Sequence, residues 1–143
     1  MEKVMSFYLC DSLFGIDIIK VKEINRRVEY TPVPGSNPVV SGLYNMRGQI
    51  VTLFDLSRIL GYAPRLNQGQ LGCIILKPTA SHLHQFGFLI DAPGDVIEIP
   101  NDISESPPAN VDHIAGELLE KVVKLEDQLL LVLHSEKIIT NIA

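Results

Sequence analysis

Chemistry at a protein site needs particular side chains at workable spacings, and this chain carries few of either. Its histidines are His82, His84, His113 and His134. His82 and His84, two apart in a loop-like stretch, could chelate a metal, but no third ligand lies near them in sequence. Cys10 and Cys73 sit far apart, each inside an apolar run with no histidine close by. They read as small buried hydrophobes rather than as nucleophiles or a disulfide. The stretch GYAPRLNQG, Gly61 to Gly69, lacks both the lysine and the glycine spacing of a phosphate loop. There is no Gly-x-Ser-x-Gly elbow for a serine nucleophile. Acid pairs such as Asp11/Asp17 and Glu117/Glu120 fit solvated faces, and Glu126-Asp127 suits a turn. The expectation is a non-enzyme that needs no cofactor and no metal and works through its surfaces.

Composition narrows those surfaces. The chain has 143 residues, 46% of them hydrophobic and 20% charged, without tryptophan, and a formal charge of −5. Nucleic acid is an improbable partner, because a phosphate-binding face needs a basic stripe and the twelve Lys and Arg are scattered, with only Arg26-Arg27 adjacent. No apolar run approaches the roughly 18 residues of a membrane span. Met1-Glu2-Lys3 leads directly into strand-like sequence, so a soluble, cytoplasmic protein is expected.

The elements that must carry a surface are organised around GLYNMRGQIVTLFDLSRILG, Gly42 to Gly61. Val39 to Tyr44 reads as a strand, Asn45-Met46-Arg47-Gly48 as a tight turn, and Gln49 to Phe54 as the returning strand. Gly48 supplies a positive φ, and Asn45 can bond its own backbone. Asp55 suits the N-cap of a short helix over Leu56 to Leu60, and Gly61 its left-handed stop. Ile50, Val51, Leu53 and Phe54 are apolar on both faces of their strand. A strand with one wet face alternates, so this one is expected to lie between two hydrophobic layers. Arg47, at the tip, is either a solvated turn residue or the partner of a carboxylate through its rigid fork. Glu23 is the natural candidate, and the cost of removing either member would report how buried the pair is.

Further strands are expected at Val4 to Cys10, Leu13 to Ile18, Leu71 to Lys77, Gln85 to Asp91 and Asp95 to Ile99, with one running to about Tyr30 before a Pro-rich loop. Asp11-Ser12 and Ala92-Pro93-Gly94 are the expected turns between them. Ala63 to Gly69 is the candidate join between two halves, and Asn101 to Asn110 an irregular loop. The last third fits helical spacing about as well as strand spacing and, taken alone, favours a helix slightly over the competing hairpin of Ile114 to Leu125 and Gln128 to Leu133 followed by a helix capped by Ser135. Many short strands between Gly and Pro turns point to barrels or a sandwich.

FGIDIIKVKEI, TPVP, VVSGLYNMRGQIVTLFDLSRILG, FGFLID and DVIEI, in that order and spanning about Val4 to Ile139, resemble the CheW family of chemotaxis coupling proteins. The resemblance implies a stand-alone all-β domain over residues 1–143: two packed five-stranded SH3-like barrels with short helices, including a C-terminal one. One barrel would take about residues 20–68, the other residues 1–19 and 69–143. It also decides the last third as a hairpin and terminal helix. It implies a non-catalytic adaptor, cytoplasmic at receptor arrays, joining the histidine kinase CheA to chemoreceptor (methyl-accepting chemotaxis protein) cytoplasmic tips. The tip, a helical hairpin, would lie in an apolar groove lined by Ile18, Val21 and Ile90. Glu23 and Arg47 match coupling positions, and Gly42, Asn45 and Gly48 shape the hairpin. Met46, where leucine is commoner, and Ser57, where a basic residue is frequent, are departures that bear on partner identity. An adaptor of a paralogous system such as twitching motility, or a small-ligand-binding β-barrel, are the other readings.

Overall fold

The computed structural model describes residues 2–63, 70–79, 84–100, 114 and 116–142. In chain order the elements are β1 (Glu2–Leu9), β2 (Ser12–Asp17), a 3-10 turn (Ile18–Lys20), β3 (Val21–Asn25), β4 (Val40–Met46), β5 (Gln49–Phe54) and α1 (Leu56–Ile59). They continue as β6 (Gly72–Leu76), β7 (Phe86–Ile90), β8 (Ala92–Ile99), a 3-10 turn (Gly116–Leu118), β9 (Leu119–Lys124), β10 (Leu129–Leu133) and α2 (Ser135–Ile142). Two five-stranded sheets result, one ordered β3-β6-β7-β5-β4 and the other β8-β1-β2-β10-β9.

Three apolar clusters account for that arrangement. Along the central strands, successive residues point to opposite faces, and here both faces are buried. Cys73, Ile75, Leu89, Val51, Leu53 and Met46 fill the inside of the first sheet. Val4, Leu13, Leu130, Val132, Val123 and Ile99 fill the inside of the second. The alternate residues of the same strands, among them Phe14, Phe54, Ile74, Phe86, Phe88 and Leu131, meet in a third cluster between the sheets, closed at its ends by Leu56 and Leu60 of the α1 region and Ile138 and Ile139 of α2. Phe86 stands edge-on to both Phe54 and Phe88, with ring centroids 6.3 and 5.9 Å apart. The runs GCIIL and FGFLI therefore contain no solvent-facing residue.

The two sheets repeat one topology. In each, an antiparallel hairpin (β6-β7 or β1-β2) pairs in parallel with the second strand of another hairpin (β4-β5 or β9-β10), and a fifth strand flanks the first hairpin. A helix follows the equivalent strand in both, α1 after β5 and α2 after β10. The division of the chain consequently differs from expectation. Strands β6 and β7 belong to the sheet of β3, β4 and β5, so residues 21–90 form one half, and the chain changes sheets at Asp91 rather than near Gln68. The candidate join at Ala63 to Gly69 lies, from Pro64 onward, outside the described residues, as do the Asn101 to Asn110 loop, His82 and His113.

Local signals fare well at the hairpins. Asp55 caps α1 by accepting from Arg58 N at 3.3 Å, and Gly61 is left-handed at φ 93°. The last third is the hairpin β9-β10 followed by α2. Its cap lies one residue before Ser135, with the His134 carbonyl accepting from Ile138 N at 3.2 Å. Other expectations yield to tertiary context. Pro93 and Gly94 do not end a strand; they sit inside β8, an edge strand that pairs with β1 across a bulge, where a missing N–H is tolerated. The strand expected to reach Tyr30 stops at Asn25. Cys73 is buried, Cys10 half-buried, and no disulfide joins them.

Ile50 is the exception to the doubly covered β5: it is 60% exposed, while Val51, Leu53 and Phe54 enter the cores. Two substitutions separate these environments. Phe88→Ala should lower unfolding stability by about 3–5 kcal/mol, and Ile50→Ser should stay within about 0.5 kcal/mol of the parent, both read from urea denaturation midpoints.

Candidate functional site

The first sheet is curled, so its outer strands β3 and β4 approach one another, and the hairpin tip between β4 and β5 reaches the flank of β3. The tip is a two-residue turn in which both residues are left-handed, Arg47 at φ 52° and Gly48 at φ 88°. Turns of this kind match the twist of the flanking strands, and Asn-Gly or Gly-Gly suits them best. Arginine in that conformation is strained, a condition that persists where surrounding structure or function holds it. Asn45 Oδ1 accepts from Gly48 N at 2.9 Å and fixes the turn. A Cβ on Gly48 would meet nothing within 4 Å, so its requirement is the positive φ and not space. Gly42 is the opposite case. Its Cβ would fall on the Thr31 carbonyl, where Thr31 and Leu43 exchange backbone hydrogen bonds of 2.9 Å that bring the chain after β3 across to β4.

From that tip Arg47 Nη2 reaches Glu23 Oε1 at 2.7 Å. The pair joins strands that are not neighbours in the sheet order, so it ties the two margins of one sheet together. Glu23 is the sheltered member, its side chain 23% exposed, while that of Arg47 is 71% exposed. The other carboxylate oxygen, Oε2, accepts from Asn25 Nδ2 at 3.0 Å. The Arg47 hydrogen bond first, and the Asn25 one second, hold the Glu23 carboxyl below its ordinary range against the opposing effect of burial; the charges of Arg47 and Lys22 act in the same direction. Beside it, Lys22 Nζ donates to Gln85 Oε1 at 3.0 Å, and the Gln85 amide in turn donates to Gln49.

The 3-10 turn that links β2 to β3 carries the apolar part of the site. Asp17 caps it, accepting from Ile19 N at 3.2 Å, and Lys20 Nζ meets Glu136 Oε1 of α2 at 2.5 Å. Ile18 is half-buried, Val21 is half-buried against the core between the sheets, and Ile19 projects into solvent at 66% exposure. Ile90 does not join them. It is 0% exposed, packed in the core between the sheets, because the alternation of β7 turns it inward with Phe86 and Phe88. It cannot line an open groove, and that expectation is corrected. The concavity on the α2 side of the turn is polar rather than apolar, lined by Asp17, Lys20, Glu120, His134 and Glu136 among others.

Four residues of this region escaped sequence reasoning. Ile19, inside an Ile-Ile pair, passes for core; Lys20 and Gln85 act through partners far away in the chain. Asn25 had a readable signal, since Glu23-x-Asn25 places two polar residues on one face of a strand. Among the described residues no group of three or more His, Cys, Asp or Glu is placed to hold a metal ion, and no helix is long and apolar enough to cross a membrane.

The model of the CheW-like domain matches residues 3–143. The chain belongs to the CheW-like domain family. Among its relatives, the chemotaxis protein CheW of Treponema pallidum is 30% identical over 143 residues, covering 97% of this chain and 82% of the relative. The CheW protein of Thermotoga maritima is 28% identical, covering 98% and 89%. A crystal structure of the scaffolding protein TtCheW from Thermoanaerobacter tengcongensis aligns with a TM-score of 0.75 at 28% identity, over 93% of this chain and 88% of that one. The CheW-like architecture of two five-stranded sheets is thus common to this chain and a solved relative.

The Glu23–Arg47 pair gives a pH signature with a definite sign. Because the folded-state pKa of Glu23 lies below its ordinary 4.5, its stabilisation is complete above that value and is lost as pH falls through the folded pKa. The stability difference between the parent and Glu23→Gln, from urea denaturation, should be constant from about pH 7 to about pH 5 and shrink below pH 4.5. A difference that stays flat through that range means the pair is not formed in solution.

Proposed function

We propose that this chain is a non-catalytic adaptor that couples the cytoplasmic tips of chemoreceptors to the histidine kinase CheA. The observation that carries the reading is the link between the two sheets. There Ile19 is exposed, Ile18 and Val21 on either side of it in the 3-10 turn region are half-buried, and the β3 strand that follows carries Lys22 and the Glu23 that pairs with Arg47. An open apolar projection carried by the same segment as positioned charges suits the side of a helix better than it suits a small molecule, which calls for an enclosed pocket. Membership of the CheW-like family, and relatives described as chemotaxis and scaffolding proteins, support the same reading. In this role the molecule does no bond chemistry. It contributes by binding two partners at once, which raises the effective concentration of each near the other.

The test is capture of a receptor tip and of the CheA regulatory domain by the full chain at tens of micromolar; binding to neither would end the proposal. Ile19→Asp should abolish tip capture while leaving the melting temperature unchanged, since the side chain it replaces is in solvent. Val21→Asp should also abolish capture, with a loss of stability because Val21 packs partly on the core. Tip capture by Ile19→Asp equal to the parent's would show that the apolar contact lies elsewhere.

A further inference from the structure

Glu23 divides its carboxylate between two donors, Arg47 on Oε1 and Asn25 on Oε2. Asn25 follows Glu23 by two positions on β3, so both side chains lie on the same face of the strand. That face looks toward the inside of the first sheet, and β3 pairs there with β6 in a register that sets Asn25 opposite Cys73. The Asn25 Nδ2 group thus lies 3.0 Å from Glu23 Oε2 and 3.8 Å from Cys73 Sγ. Cys73 is fully buried in the inner core, and burial pushes its thiol up to about 11, so the sulfur facing the amide is neutral. The amide is therefore oriented at both ends: its nitrogen points to the carboxylate and to the sulfur, and the backbone pairing of β3 fixes where it starts.

The freer member of the Arg47–Glu23 pair is the arginine, which has four side-chain torsions to the three of glutamate and a side chain 71% exposed against 23%. Its backbone is set by a turn closed by Asn45 and Gly48, but where its guanidinium rests depends on the anchor it meets, Glu23, which sits on an outer strand with a register shift between Val21 and Glu23. We propose that Asn25 is the positioning residue of the docking rim: by holding Glu23 Oε2 it aims Oε1 at the hairpin tip and presents the Arg47 guanidinium outward to a partner's carboxylate. This role rests on the adaptor reading for its partner but not for its geometry. Arg47 is engaged through Nη2 alone by Glu23, and a guanidinium offers further N–H groups in a fixed fork. An acidic side chain on the partner can add to the pair without displacing Glu23, because the guanidinium keeps N–H groups that Glu23 does not use and the second Glu23 oxygen stays anchored by Asn25.

Two readouts test the proposal on the full chain. The titration of the Glu23 carboxyl, followed by carbon-detected NMR in the absence of any partner, should move upward in Asn25→Ala and further upward in the near-isosteric Asn25→Asp, which removes the donor and adds a like charge. A merely structural role for Asn25 would lower the melting temperature without moving that titration, so an unchanged Glu23 midpoint in both variants overturns the positioning role. In receptor-tip capture, Asn25→Ala should weaken binding several-fold, and an additional Arg47→Ala should cost less in that background than in the parent. An upward Glu23 shift with full-strength capture would overturn the presentation of Arg47 to a partner. Failure of the parent chain to bind any tip would remove the adaptor reading and leave the titration result standing, so the two failures are distinguishable.

Discussion

The apolar layer between the two sheets is the constraint from which the other features follow. A single five-stranded sheet curled on itself buries only its inner face. Packing two such sheets together buries the outer faces of β6 and β7 in one and of β2 and β10 in the other. That demands strands apolar at every position, and the chain supplies them as GCIIL, FGFLI and LLLVL. It also fixes where function can be placed. The middle strands have no surface to offer, so partners are left with the outer strands, the hairpin tips and the links between the sheets.

The same continuity of apolar residues explains what could and could not be read from the chain alone. Where a local rule has one solution, the reading survives: Asp55 caps, Gly61 stops, and Asn45 with Gly48 turns the hairpin. Where a strand is covered on both faces, its sequence says that it is buried but not beside which strand. Nothing within β6 and β7 opposes the division that the resemblance implies, although they pair with β3 and β5, and Ile90 passes for a groove residue until its own alternation closes it in. The last third was ambiguous for the same reason, since an unbroken apolar run fits both periods. Ile19 and Ile50 are the reverse case, aliphatic residues that composition consigns to the core and geometry leaves in water. The Glu23–Arg47 pairing is legible as a candidate, whereas its second anchor, Asn25, shows itself only once both side chains lie on one face of β3.

The repeated topology shows why one link differs from the other. The passage from the second sheet into the first takes a 3-10 turn, which lifts Ile19 clear of the surface. The passage back is the single residue Asp91, whose carboxylate is occupied by Cys10 N at 2.8 Å. Two similar halves therefore present two dissimilar junctions, and only one of them projects a large apolar side chain. The internal repetition therefore does not extend to the links between the sheets.

Division of the chain at Asp91 also separates charge. Among the described residues, those within 21–90 hold six Lys and Arg against three Asp and Glu, and the others hold five against eleven. The net −5 thus conceals a molecule with a cationic half and a strongly anionic half, in effect a permanent dipole laid across the boundary between the sheets. Fields of this kind act over a screening distance of about 8–10 Å at physiological salt and turn an approaching body before any contact forms. Orientation in the encounter is then set by polarity of the whole fold, ahead of the short-range fit at its rim.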